Sequence, residues 1–162
     1  MRSILINITL GFILPWIFGV FLYKRASKIV IIIYPISSVV SSFINTIGFH
    51  LEFWSFTPLI EDNSTISALP FDLGLYPLTA CLVIYFIHFR TLNPIVSLLI
   101  FSALLTGLEY IGLLIHKVEY DHGWNIGWTF VSYVIAATAA YGYYVFAKKH
   151  GIDFESNTKN RI

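Results

Sequence analysis

Cysteine is all but missing from this chain of 162 residues: Cys81 stands alone, inside an apolar run. A single thiol excludes an intrachain disulfide and any CxxC metal or redox motif, and leaves Cys81 to read as a small core residue. Charge is scarce too. Asp, Glu, Lys and Arg make up 12% of the residues, where an ordinary soluble domain has roughly a quarter. The ten Lys and Arg residues are scattered at the ends of apolar runs, and the formal net charge is +1. With no basic stripe to neutralise a row of phosphates, nucleic acid is not an expected partner. The sequence also lacks a phosphate-cradling glycine loop, a nucleophile elbow, a dinucleotide fingerprint and the HxxxH or HExxH spacings of a metal site. It therefore implies no cofactor and names no catalytic residue. No internal repeat, low-complexity stretch or interdomain linker divides it, so residues 1–162 read as one domain.

What is abundant is apolar surface. Hydrophobic residues are 57% of the chain and mean hydropathy is +0.75. A soluble core of this size cannot hide that much, so the expected solvent is lipid. Five runs are long enough to cross roughly 30 Å of hydrocarbon at about 1.5 Å per residue: Ser3 to Tyr23, Ile29 to Phe49, Phe71 to Phe89, Ile95 to His116 and Ile126 to Ala147. Arg2 before the run from Ile4 to Leu22 imitates a signal peptide. The run is long for that role and ends in a basic cluster rather than a small-residue cleavage site, so it reads as a retained span. The third run carries Pro77 and is expected to start irregularly near Pro70 and Asp72.

The expected fold class is all-α, a polytopic membrane bundle of five helices. With five alternating spans, Lys24, Arg25, Lys28, Arg90, Lys148, Lys149, Lys159 and Arg161 fall on one side and only Arg2 and Lys117 on the other. The positive-inside rule makes the first side cytoplasmic, which puts the N-terminus outside and a tail of residues 148–162 inside. The external loops, His50 to Pro70 and Lys117 to Asn125, are the longer ones. Short internal turns force spans one and two, and spans three and four, to be antiparallel neighbours. Trp54, Trp124, Trp128 and Tyr120 sit at the outer boundary and read as an aromatic belt, the alternative being an inward-pointing wall of a pocket. Ser37 and Ser41, Ser38 and Ser42, and Ala136 and Ala140 form small-xxx-small pairs, suited to helix packing within the bundle or to a partner helix or second copy. Asn63-Ser64-Thr65 matches the glycosylation pattern.

Chemistry is expected where polar groups enter the apolar runs. Glu109 lies two turns before His116 in span four, and a carboxylate there costs roughly 2.5–3.5 kcal/mol to insert, so it is expected to face the bundle interior. Asp72 reads either as an N-cap of span three or as a second interior carboxylate, with Tyr76 four residues later on the same face. His116, His50, Asn45, Asn125 and Tyr133 belong to the same outer half, while His88 beside Arg90 reads as interfacial. The expectation is that Asn45, His50, Asp72, Tyr76, Glu109, His116 and Tyr133 line a polar cavity open to the external face. Such a cavity would bind a lipid or small amphipathic molecule. A metal site from His50, Glu109, His116 and His122 is the weaker alternative, since none of the usual spacings is present.

Two other functions compete with ligand binding. One is a membrane enzyme using Glu109 or Asp72 as a general acid on an isoprenoid or lipid. The other is an accessory subunit of a larger membrane complex.

Four elements carry a family resemblance: Tyr23-Lys24-Arg25-Ala26-Ser27-Lys28 after span one, Phe71-Asp72-Leu73-Gly74-Leu75-Tyr76-Pro77, the intramembrane Glu109, and Trp124-Asn125-Ile126-Gly127-Trp128-Thr129 opening the last span. In these the chain resembles, over nearly its whole length, a family of small multi-spanning membrane proteins from Bacillus, Clostridium and relatives. That family is labelled after a clostridial open reading frame and has no assigned activity. Asp72 stands where the family more often has Glu. The resemblance implies a multi-pass protein of a bacterial plasma membrane.

Overall fold

The computed structural model describes residues 7–56 and 64–155. It is an all-α bundle of four helices, each long and apolar enough to cross a membrane: α1 Thr9–His50, α2 Ser64–Arg90, α3 Pro94–Leu114 and α4 Ile126–Lys149. Two three-residue strands, β1 Trp54–Phe56 and β2 Val118–Tyr120, pair antiparallel across one end of it. The glycosylation pattern at Asn63 and the basic residues Arg2, Lys159 and Arg161 lie outside the described residues.

α1 is not a rod. At Ala26 the backbone leaves helical geometry (φ −146°, ψ 54°), and the two arms fold side by side. The Trp16 and Tyr34 rings meet at 5.3 Å, whereas eighteen residues of straight helix would separate them by about 27 Å. The break falls within Lys24-Arg25-Ala26-Ser27-Lys28, whose charges would otherwise sit in the middle of an apolar rod. Arg25 covers the Phe21 ring at 4.8 Å and Lys28 pairs with Asp153 at 3.0 Å.

Each of two helices carries a π-helical turn two residues before a proline. They are Thr9–Ile13 ahead of Pro15 and Phe71–Leu75 ahead of Pro77. The turns lie against each other with backbones touching: a Cβ on Gly74 would meet the Gly11 carbonyl, and one on Gly11 would come within 3.0 Å of the Phe71 nitrogen. Proline has no N–H to give the carbonyl four residues back. For Pro77 that carbonyl is Leu73, and it accepts instead from Trp16 Nε1 at 2.9 Å and the Tyr34 hydroxyl at 2.8 Å. Both arms of α1 are thereby tied to the same point of α2. The irregularity expected near Pro70 and Asp72 is this π turn. The helix itself begins earlier, at Ser64, so Asp72 is two turns inside it and caps nothing.

Apolar side chains lie outside as well as inside, and polar ones are buried among them. Phe18, Phe43, Ile95 and Leu104 are exposed on the helix flanks, while Ser37, Asn45, Asp72, Ser102 and Thr129 are buried. One apolar core, containing Ile29, Ile33, Cys81, Ile84 and Tyr144, fills the end that carries the Ala26 break. Phe154, 2% exposed, closes it from beyond α4, with its ring 5.0 Å from Tyr144. A smaller core of Trp54, Phe56, Ala68 and Val118 lies under the strand pair at the other end. Between the two cores lies the polar interior.

Candidate functional site

Asn125 and Asn93 cap α4 and α3, accepting from the amides of Gly127 and Trp128 at 3.0 and 3.3 Å and of Val96 at 3.2 Å. These caps fix where each helix enters, and with it the facing of Thr129, Tyr133 and Glu109. The Glu109 carboxylate accepts from Tyr120 at 2.6 Å and Thr129 at 3.3 Å on one oxygen, and from Tyr133 on the other. Trp124 Nε1 donates to the Thr129 hydroxyl at 2.9 Å, and the Tyr133 and Tyr76 hydroxyls are 3.3 Å apart. A carboxylate ringed by hydroxyl donors is satisfied as an anion without a cationic partner.

Asp72 is held separately. Its Oδ1 accepts from Asn45 Nδ2 at 2.8 Å, and Asn45 Oδ1 in turn accepts from Trp54 Nε1 at 3.3 Å. Ser41 and Ser42 present hydroxyls to the same carboxylate. Both networks reach the strand pair, Asp72 through Trp54 and Glu109 through Tyr120, and the Trp54 and Trp124 rings meet at 4.7 Å. The ribbon therefore joins them. Tyr120 lies outside the helices, and its phenol is pushed above the ordinary tyrosine value first by burial and then by the negative charge of Glu109.

A cavity of about 70 Å³ opens between the two networks. Asn45, Tyr76, Glu109 and Tyr133 line it at one end, with Trp54 and Trp124 over them; Ser37, Phe101 and Ser102 line the other. At about 30 Å³ per water in the liquid, it has room for two or three waters. No lysine or arginine lines it.

Of the seven residues expected at the site, Asn45, Tyr76, Glu109 and Tyr133 are brought together around this cavity. Asp72, 2% exposed, stands behind Asn45 rather than on the cavity wall. His50 and His116 are exposed and outside it. Placing His116 on the Glu109 face assumed that the helix continues, but α3 ends at Leu114 and His116 takes a left-handed backbone, φ 53°. Among the described residues no three His, Cys, Asp or Glu side chains are grouped to hold a metal ion.

The aromatic belt divides. Trp128 is 56% exposed, as a belt residue should be, but Trp54, Trp124 and Tyr120 turn inward because their N–H and O–H groups find buried acceptors. Thr129 was not singled out from the sequence, although it lies one turn before Tyr133 on the same face of α4. The serine pairs of α1 supply cavity wall and Asp72 contacts as well as close packing.

No protein-family model, curated protein or solved structure matches the chain.

Proposed function

We propose that this chain is a five-span plasma-membrane protein, N-terminus outside, whose cavity binds the head of a small amphipathic amine or alcohol at its external end. The observation that carries the reading is Glu109 with its hydroxyl donors, at the mouth of a cavity free of lysine and arginine. A guest that displaces one of those donors must itself donate, as an ammonium or hydroxyl does; a phosphate or carboxylate meets only repulsion. The apolar walls, Val40, Leu105 and Ala136 among them, suit a hydrocarbon continuation. The cavity volume of about 70 Å³ fits a head group and not a whole lipid. The sequence resemblance to small multi-spanning proteins of Bacillus and Clostridium is in keeping with this location.

A general-acid reading has no catalytic motif in the sequence behind it. The outward placement rests on charge: Lys24, Arg25, Lys28, Arg90, Lys148 and Lys149 gather at the helix ends opposite the strand pair, which bears Lys117.

Two of the four tryptophans, Trp54 and Trp124, line the cavity, so intrinsic fluorescence of the nanodisc-embedded protein reads its occupancy. Octylamine should quench or shift it saturably and octyl phosphate should not. Glu109→Gln should weaken octylamine by about tenfold or more, the ~1.4 kcal/mol of one lost charged contact. Equal responses to both amphiphiles, or unchanged octylamine affinity in Glu109→Leu, would reject the reading.

A further inference from the structure

The deep end of the cavity carries two hydroxyls with nothing to bond. Ser37 and Ser102 are 6% and 1% exposed, both line the cavity, and neither Oγ has a hydrogen-bond partner. Serine and threonine inside a helix usually satisfy themselves on a carbonyl of the preceding turn. Here Ser41, Thr46, Ser97, Thr106 and Ser132 do so; these two do not, nor does Ser38, which lies off the cavity.

Their depth follows from the helices. Ser102 precedes Glu109 by seven residues on α3 and Ser37 precedes Asn45 by eight on α1, which puts both hydroxyls about 10–12 Å in from the mouth. Beyond them the apolar core around Ile33, Cys81 and Ile84 is closed. A polar end at Glu109, a middle lined by Val40 and Leu105 with Ser41, Thr79 and Ser132, and an inner end with the two unpaired hydroxyls therefore follow one another along one slot.

We propose that Ser37 and Ser102 form an inner subsite for a hydroxyl or amine group, held by water when the cavity is empty and by the far end of a bifunctional guest when it is filled. The guest half of this inference rests on the ligand-binding reading above and narrows it to α,ω-difunctional amphiphiles such as amino alcohols. The water half stands without it. Each unpaired Oγ both donates and accepts, so the pair takes a neutral group as readily as an ammonium.

Two measurements test it. In the first, a series of α,ω-amino alcohols of four to ten carbons is compared with n-alkylamines of equal length by tryptophan fluorescence in nanodiscs. The amino alcohols should bind best near the length that spans about 10 Å, by about tenfold over the matching amine. That advantage, taken as the ratio of each amino alcohol to the amine of equal length in the same variant, should vanish in Ser37→Ala and Ser102→Ala. In the second, Ser102→Cys is titrated with silver ion, with the buried Cys81 as the internal reference thiol, and metal uptake is read by intact mass. Reaction at position 102 with no length optimum keeps the subsite and assigns it to water alone. If octylamine itself fails to bind while position 102 reacts, the ligand-binding reading falls and the hydrated subsite stands. No length optimum together with an inert Cys at 102 overturns the inference.

Discussion

Asp72 and Glu109 are both withdrawn from water, one leaning on an amide and serine hydroxyls and the other on two phenols and a threonine. That difference sets what each tolerates. Asparagine at 72 still offers an oxygen to Asn45 Nδ2, whereas leucine leaves that amide unpaired in a low-dielectric interior at about 1–3 kcal/mol. Asp72→Leu should therefore lower the unfolding free energy in detergent by that amount, with Asp72→Asn within about 1 kcal/mol of the parent; equal losses in both would show that the hydrogen bond to Asn45 is idle. Tyr120 gives the pH dependence. Its folded phenol is raised by burial and by Glu109, so above the ordinary tyrosine value near 10 the unfolded chain has lost a proton that the folded chain keeps. The contribution is complete below that value and is lost as pH rises through the folded one. Alkaline unfolding should be steeper in the parent than in Tyr120→Phe, followed by helical circular dichroism against pH, and identical profiles would separate Tyr120 from the Glu109 charge. The carboxylates and Tyr133 were legible in the sequence because a polar group in an apolar run is costly and must turn inward. His50 is the exposed last residue of α1, and His116 lies past the end of α3 in a left-handed turn, about which helical facing says nothing.

At the scale of elements, the prolines of α1 and α2 organise how the helices meet. Leu73 lacks its helical donor because residue 77 is proline, and Trp16 and Tyr34 both supply one. Two donors on one carbonyl are partly redundant. Trp16→Phe or Tyr34→Phe alone should cost about 1 kcal/mol, and the double variant more than the sum, since only then is the Leu73 carbonyl left without a donor. Pro77→Ala in the double-variant background should recover part of the loss by restoring an N–H. A double-mutant cycle on unfolding free energies measures this, and strict additivity would mean that the two bonds act independently and neither covers for the loss of the other. The prolines, and the irregularity they impose near Asp72, can be read from sequence. The partner turn at Thr9–Ile13 cannot, because the match between Gly11 and Gly74 is a tertiary fit. The strand pair was likewise illegible: three residues per strand give no periodicity, and the segment around Trp54 reads as loop until Val118 to Tyr120 comes to pair with it.

For the whole molecule, the length of α1 bears on how often the chain crosses. A continuous helix of 42 residues would be about 63 Å long, twice the hydrocarbon thickness. A break at Ala26 with Lys24, Arg25 and Lys28 around it divides that length into two arms, each long enough to cross once. Two crossings by α1 and one each by α2, α3 and α4, as proposed, would make an odd total and put the chain ends on opposite sides of the membrane. On the proposed five-span reading the charge distribution would set the direction: the end bearing Lys24, Arg25, Arg90, Lys148 and Lys149 would face the cytoplasm, and the strand pair with the cavity mouth would face out. The docked segment through Phe154 would be cytoplasmic, with Asp153 joining it to the Lys28 turn. Reporter fusions in a bacterial host decide this directly. A fluorescent protein that matures only in the cytoplasm should light up when fused after Ile162, and a phosphatase active only outside should work when inserted between Gly123 and Trp124. A fluorescent C-terminus combined with an N-terminal tag shielded from external protease would require an even number of crossings, leaving α1 to lie partly along the membrane surface and the cavity mouth without its assigned side.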